Sequence, residues 1–176
     1  MRNRRDLFIR TAAERVLKQA GITAPEVPIE QLVRAHGLAV VEGQIPKGWG
    51  YFDPSGWAVQ LSADLYREQA FNRNRRRFTL AHELGHCVLE HGQNSCWNLG
   101  LVAEVTDLRE LADAPDFEAE AHLFAREVLL PRPWLERDWE QAPEADRWAR
   151  IYGVSRETFF IVLIERNLLM QTRKRR

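Results

Sequence analysis

Apolar residues between Asp6 and Ala20 repeat with a helical period, and Gly21 supplies a stop. A second helix is expected over residues 28–36, closed by Gly37, with His36 in a last turn where the helix dipole favours it. Leu38 to Glu42 then reads as a short strand. Tyr51-Phe52, a turn at Asp53-Pro54-Ser55-Gly56, and Trp57 to Leu61 read as a β-hairpin. Helical spacing returns at Leu80, Leu84, Val88 and His91, in a segment entered through Arg75–Arg77 and stopped at Gly92. The stretch from Gln93 to Asp116 gives mixed signals and is expected to be a partly helical rim of a cleft.

Phe117 to Leu130 is a strongly amphipathic stretch, and Pro131 ends it. Its apolar face centres on Phe117, Ala121, Ala125 and Val128. Near the end, Asp146 to Tyr152, Gly153-Val154-Ser155 and Arg156 to Arg166 have the rhythm of a helix-turn-helix, with Ser155 placed to cap the second helix. Yet Phe159 to Ile164 are six apolar residues in a row and cover every face of that helix. A recognition helix needs a polar side to meet base edges. This one is therefore expected to pack into the fold or a dimer contact, and direct DNA binding is not expected. The pattern as a whole is α+β: mostly helical, with a small antiparallel β-sheet.

Composition narrows the class. A length of 176 residues suits one compact domain with a small C-terminal appendage. Lys plus Arg (25) balance Asp plus Glu (25), so net charge gives no support for broad nucleic-acid binding. No apolar run is long enough for a membrane span. The basic N-terminus is not followed by the apolar core of a secretory signal. Two cysteines, Cys87 and Cys96, without CxxC spacing, are expected to be buried free thiols in a reducing, cytoplasmic setting. There is no phosphate-binding glycine loop and no GxSxG elbow.

Five histidines occur in the chain, and two of them lie in His82-Glu83-Leu84-Gly85-His86. On a helix, positions i and i+4 lie about 40° apart around the axis and roughly 6 Å along it. His82 and His86 can therefore hold one metal ion between them. Glu83, about 100° round, can reach a water on that metal without ligating it. Gly85 lowers helix stability, which makes sense if another element must approach that face closely.

A catalytic zinc needs a third protein ligand. His91 lies about 140° off the ligand face and is one residue short of the metzincin spacing. It is not expected to ligate. Glu118 falls about 60° from the centre of the apolar face of the 117–130 helix, and Glu120 about 100°. A carboxylate on the core side needs a partner or a metal, so Glu118 is the better candidate, with a boundary ion pair as the alternative. His122, one turn beyond, could orient a ligand through its ring nitrogen, ligate in place of Glu118, or be a structural boundary residue. Trp49 and Tyr51 could line the cleft.

The stretch Arg77-Phe78-Thr79-Leu80-Ala81-His82-Glu83-Leu84-Gly85-His86, followed by Glu118-Ala119-Glu120-Ala121, Phe124-Ala125 and Leu129-Leu130-Pro131, resembles the ImmA/IrrE family of metallo-endopeptidases. The resemblance implies a zincin-like metallopeptidase domain over residues 1–131 and a C-terminal helical, helix-turn-helix-like segment over 132–176 packed on it. It implies zinc held by His82, His86 and Glu118, with Glu83 as catalytic base. Manganese is also compatible with these ligand types. The implied substrate is a helix-turn-helix transcriptional repressor, cut to release stress-response or mobile-element genes. A regulator that keeps the metal but works by binding a repressor or DNA is the alternative. Two positions depart from the family pattern: His122 replaces the usual Asn or Asp, and Leu130 the usual Met.

Overall fold

The computed structural model describes residues 2–45, 48–66, 70–91 and 116–169. Helix α1 spans Arg2–Gln19 and α2 spans Ile29–Ala35. Each is followed by a glycine in the left-handed region, Gly21 at φ +67° and Gly37 at φ +78°, where a side chain would be strained. Three strands follow: β1 (Ala39–Gly43), β2 (Gly50–Asp53) and β3 (Ala58–Ser62). The β2–β3 hairpin is antiparallel, and Asp53 Oδ1 ties its turn by accepting the N–H groups of Ser55 (2.9 Å) and Gly56 (3.1 Å). β1 joins the sheet parallel to β3, so the order is β1-β3-β2 and the sheet is mixed rather than purely antiparallel. β3 is thus the central strand, with β2 antiparallel on one side and β1 parallel on the other.

Helix α3 (Ala70–Val88) buries Leu80, Ala81 and Leu84, and packs against α4 (Asp116–Leu129), α2 and β2. It ends earlier than the sequence suggests. Glu90 takes φ +58° and turns the chain two residues before Gly92, which lies outside the described residues together with Cys96, the rest of the 93–115 stretch and the basic tail 173–176. In α4 the buried face is Ala121, Phe124, Ala125, Val128 and Leu129. Phe117, expected at the centre of that face, is instead 42% exposed. It sits in the first turn, where the helix has begun to leave the core.

Pro131 leads into α5 (Arg132–Gln141), a helix the periodicity did not announce, and then α6 (Ala145–Tyr152) and α7 (Arg156–Glu165). The α6–α7 turn has Gly153 in the left-handed region, and the Ser155 side chain accepts the Thr158 N–H at 3.0 Å. Helix α7 buries Phe159, Val162 and Leu163, while Ile161 and Ile164 remain exposed. One hydrophobic cluster runs from Ile9 in α1 to Leu168. Two buried arginines bind the elements around it. Arg77 on α3 donates to the carbonyls of Val27 (2.9 Å) and Gly153 (2.9 Å) and pairs with Glu26. Arg166 donates to the Leu130 carbonyl (2.7 Å) and to Glu127 on α4 (2.8 Å). Among the described residues, no helix is long and apolar enough to cross a membrane.

Candidate metal centre

Gly85 explains how two helices come close enough to share a site. A Cβ at that position would lie 3.1 Å from the Phe124 ring and 3.3 Å from the Ala121 Cα. The bare glycine lets α4 lie against α3 one residue short of His86. That contact brings Glu118, one turn before Ala121, over the imidazoles.

The Nε2 atoms of His82 and His86 are 3.0 Å apart. Glu118 Oε2 is 3.2 Å from His82 Nε2, and Glu118 Oε1 is 3.4 Å from His86 Nε2. Ligand bonds of about 2.0–2.2 Å in a tetrahedral zinc site put neighbouring donor atoms about 3.3–3.5 Å apart. The observed separations are close to that spacing or slightly shorter, and the three side chains each offer a donor atom to one metal ion. The electrostatics agree. Burial pushes His82 and His86 down to about 3, aided at His86 by His82, so both rings are neutral and offer lone pairs. Glu118 is pushed up by burial. Its Oε2 is buried without a hydrogen-bond partner. A cation would satisfy what the protein leaves unsatisfied there.

Glu83, almost fully buried, accepts the backbone N–H of Phe52 on β2, while its Oε2 has no hydrogen-bond partner. Burial, then the nearby Glu118 charge, push its carboxyl up to about 8. A bound cation reverses that pressure and returns it to the carboxylate form. β2 is an edge strand, and among the described residues nothing pairs with its outer side. Tyr51 is exposed on this strand, and Arg75 lies over the Trp49 ring at 4.5 Å.

The remaining histidines divide. His36 is structural, its Nδ1 2.9 Å from the Leu32 carbonyl. His122 packs its ring against His82 (centroids 4.6 Å apart) and Phe78 (5.5 Å). It makes no hydrogen bond to either imidazole of the pair. Burial, then His82, hold it down to about 3. His91, set aside on helical angle, approaches the pair by another route. The early end of α3 folds it back, and its Nδ1 lies 3.2 Å from His86 Nδ1. Its Nε2 lies 2.9 Å from Glu120 Oε2, and Glu120 in turn takes two hydrogen bonds from Arg5 of α1 (2.7 and 2.6 Å). No helical-wheel projection could find this, because His91 is not on the helix. Cys87, half-buried and free, has its thiol pushed up by burial.

Comparison with known proteins gives the family and the fold. Residues 52–161 match the model of the IrrE N-terminal-like domain (Peptidase_M78), which is more than half of the chain. The fold is similar to that of a Mycobacterium tuberculosis transcriptional regulator (TM-score 0.58, 22% identity), over 88% of this chain and 55% of that one. The chain thus spans about half the length of that protein. No curated protein matches the sequence. The chain belongs to the IrrE N-terminal-like family, a metallopeptidase family whose members imply a divalent metal.

Proposed function

We propose that this member of the IrrE N-terminal-like family is a zinc-dependent endopeptidase, with His82, His86 and Glu118 as metal ligands and Glu83 as general base. The observation that carries the reading is the cluster of two imidazole nitrogens 3.0 Å apart and a Glu118 carboxylate whose two oxygens lie 3.2 and 3.4 Å from them, with one of those oxygens buried and unsatisfied. A purely structural site would have no use for Glu83 beside it.

A bound divalent metal supplies Lewis acidity, which lowers the pKa of water to about 7 and favours charge on the scissile carbonyl oxygen. Glu83 takes a proton from the attacking water and returns it to the leaving amine. The Phe52 N–H fixes the carboxylate from one side and leaves the other oxygen for the proton. The outer edge of β2 can pair with an extended peptide by strand addition, aligning the scissile bond with Glu83. The substrate we infer from the family is a helix-turn-helix repressor, met by a metallopeptidase domain (1–131) that carries the 132–176 helices on its side. Manganese in place of zinc is compatible with the donor set.

The test is Glu83→Gln in the purified, zinc-loaded protein. Repressor cleavage is expected to drop about 10²–10⁴-fold with the metal content unchanged. The same variant, used as bait, should hold its substrate uncut for identification by mass spectrometry. Relief of repression by the Gln variant would move the protein to the other reading, a non-proteolytic regulator that binds a repressor or DNA.

A further inference from the structure

We propose that His91, Glu120 and Arg5 form a relay that fixes the tautomer and orientation of His86, so that the N-terminal helix tunes metal affinity through a residue that never touches the metal. The proposal rests on the reading above only in taking His86 as a ligand.

The argument is one of hydrogen-bond polarity. If Nε2 of His86 gives its lone pair to a metal, its one proton sits on Nδ1. The atom 3.2 Å away is His91 Nδ1, which must then accept. That places the His91 proton on Nε2, where a carboxylate oxygen of Glu120 waits at 2.9 Å. Arg5 meets that carboxylate with two N–H groups, at 2.7 and 2.6 Å, and keeps it charged. From His86 through His91 each donor finds an acceptor in one sense only, ending on the Glu120 carboxylate, which Arg5 meets from the other side as a donor. Reversing any tautomer would leave two donors or two acceptors face to face. His91 is itself 4% exposed and stacks on Phe117, with ring centroids 4.7 Å apart. This contact is also a reason for Phe117 to lie outside the core. A partner that accepts from a ligating histidine holds the ring in place and raises its donor strength.

The experiment measures zinc affinity in the full chain, by competition with a chromophoric chelator. His91→Phe keeps the ring and the stacking but removes both bonds; affinity should fall about 10–100-fold. His91→Gln restores an acceptor at one end and a donor at the other, and should recover most of the loss. A ring needed only for packing would give the opposite order. Should His91→Phe not fold, Glu120→Leu carries the test, since it removes the acceptor of the His91 N–H together with the partner of Arg5 and leaves the His91 ring against His86; a several-fold loss supports the relay. Unchanged affinity in Glu120→Leu, or in a folded His91→Phe, overturns it. If the wild-type protein itself binds no zinc, the ligand assignment has failed and the relay falls with it; loss of affinity only in the variants separates the two.

Discussion

His82 and His86 leave the same helix one turn apart, aim the same ring nitrogen at the same point, and are supported in opposite ways. Behind His86 stands a hydrogen-bonded series of His91, Glu120 and Arg5 that reaches the N-terminal helix. Behind His82 stands the ring of His122, itself packed on Phe78, and the His82 Nδ1 is buried with no hydrogen-bond partner. One ligand is oriented by hydrogen bonds, the other by packing. The difference teaches that a metal site can be rigid in two currencies. Packing fixes where a ring lies, but only a hydrogen bond fixes which nitrogen carries the proton.

The widest test of the comparison is to remove each ring. His82→Ala and His86→Ala should both abolish tight zinc binding and reduce peptide cleavage to the level of the chelator-treated wild type, because two remaining donors do not make a catalytic zinc site. Isothermal titration with zinc reads the first outcome and a cleavage assay the second. If either variant binds zinc as the wild type does, the pair is not a pair, and the contrast in support loses its meaning.

Both supports depend on how closely α4 lies against α3, which Gly85 sets. Gly85→Val places branched carbons where Phe124 and the Ala121 backbone already are. Overpacking of this kind costs about 1–3 kcal/mol, partly offset by the helix propensity lost at glycine, about 1 kcal/mol at most. Denaturant unfolding should show the net loss. Zinc affinity should fall too, since Glu118 retreats with α4. A stable protein with undiminished zinc affinity would show that the helix spacing does not govern the site.

These two tests also mark what could be read from the chain beforehand. The His82–Glu83–His86 geometry was legible because a helix fixes neighbours four residues apart whatever surrounds it. Glu118 was legible only in part: its place on the core side of an amphipathic helix left a metal or a boundary ion pair open, and the family resemblance pointed to the metal. The close approach at Gly85 followed from a glycine in an otherwise good helix. The hairpin and the α6–α7 turn followed from Asp53-Pro54-Ser55-Gly56 and from Gly153-Val154-Ser155. His91 was not legible: its position depends on a left-handed Glu90, a residue with no preference for that conformation. Its support comes from Arg5 and Glu120, 115 residues apart in sequence. Phe117 misled for a related reason, since the wheel counts its face but not its place at the helix end.

The two imidazoles and Glu83, the proposed general base, can be separated by pH in the metal-free protein. The folded pKa values of His82 and His86 lie below the usual 6.5, so the stability they contribute is complete above 6.5 and is lost as pH falls toward about 3. Glu83 runs the other way. Its pKa is raised from 4.5 to about 8, so the stability it contributes is complete below 4.5 and is lost as pH rises through 8. Between pH 6.5 and 8 the histidines are silent. Metal-free protein should lose on the order of 1–2 kcal/mol across that window, measured by thermal or urea unfolding. Glu83→Gln should lose clearly less, because the carboxyl that titrates in this window is gone. An equal slope in the variant would mean that Glu83 is not the buried titrating carboxyl.

The smallest and most discriminating change is at His122. When His82 Nε2 faces a metal, its proton sits on Nδ1, and that N–H has no acceptor. An orphaned buried donor costs about 1–3 kcal/mol, part of which zinc binding must offset. His122→Asn replaces a ring by an amide whose oxygen can accept, and it is the residue type that the family pattern places here. Zinc affinity should rise, by less than about tenfold, whereas His91→Phe, which takes an acceptor from His86, should weaken binding. The two imidazoles would then be supported alike. If His122→Asn binds zinc no better than the wild type, packing alone orients His82 well enough, and the missing hydrogen bond is not a weakness of the site.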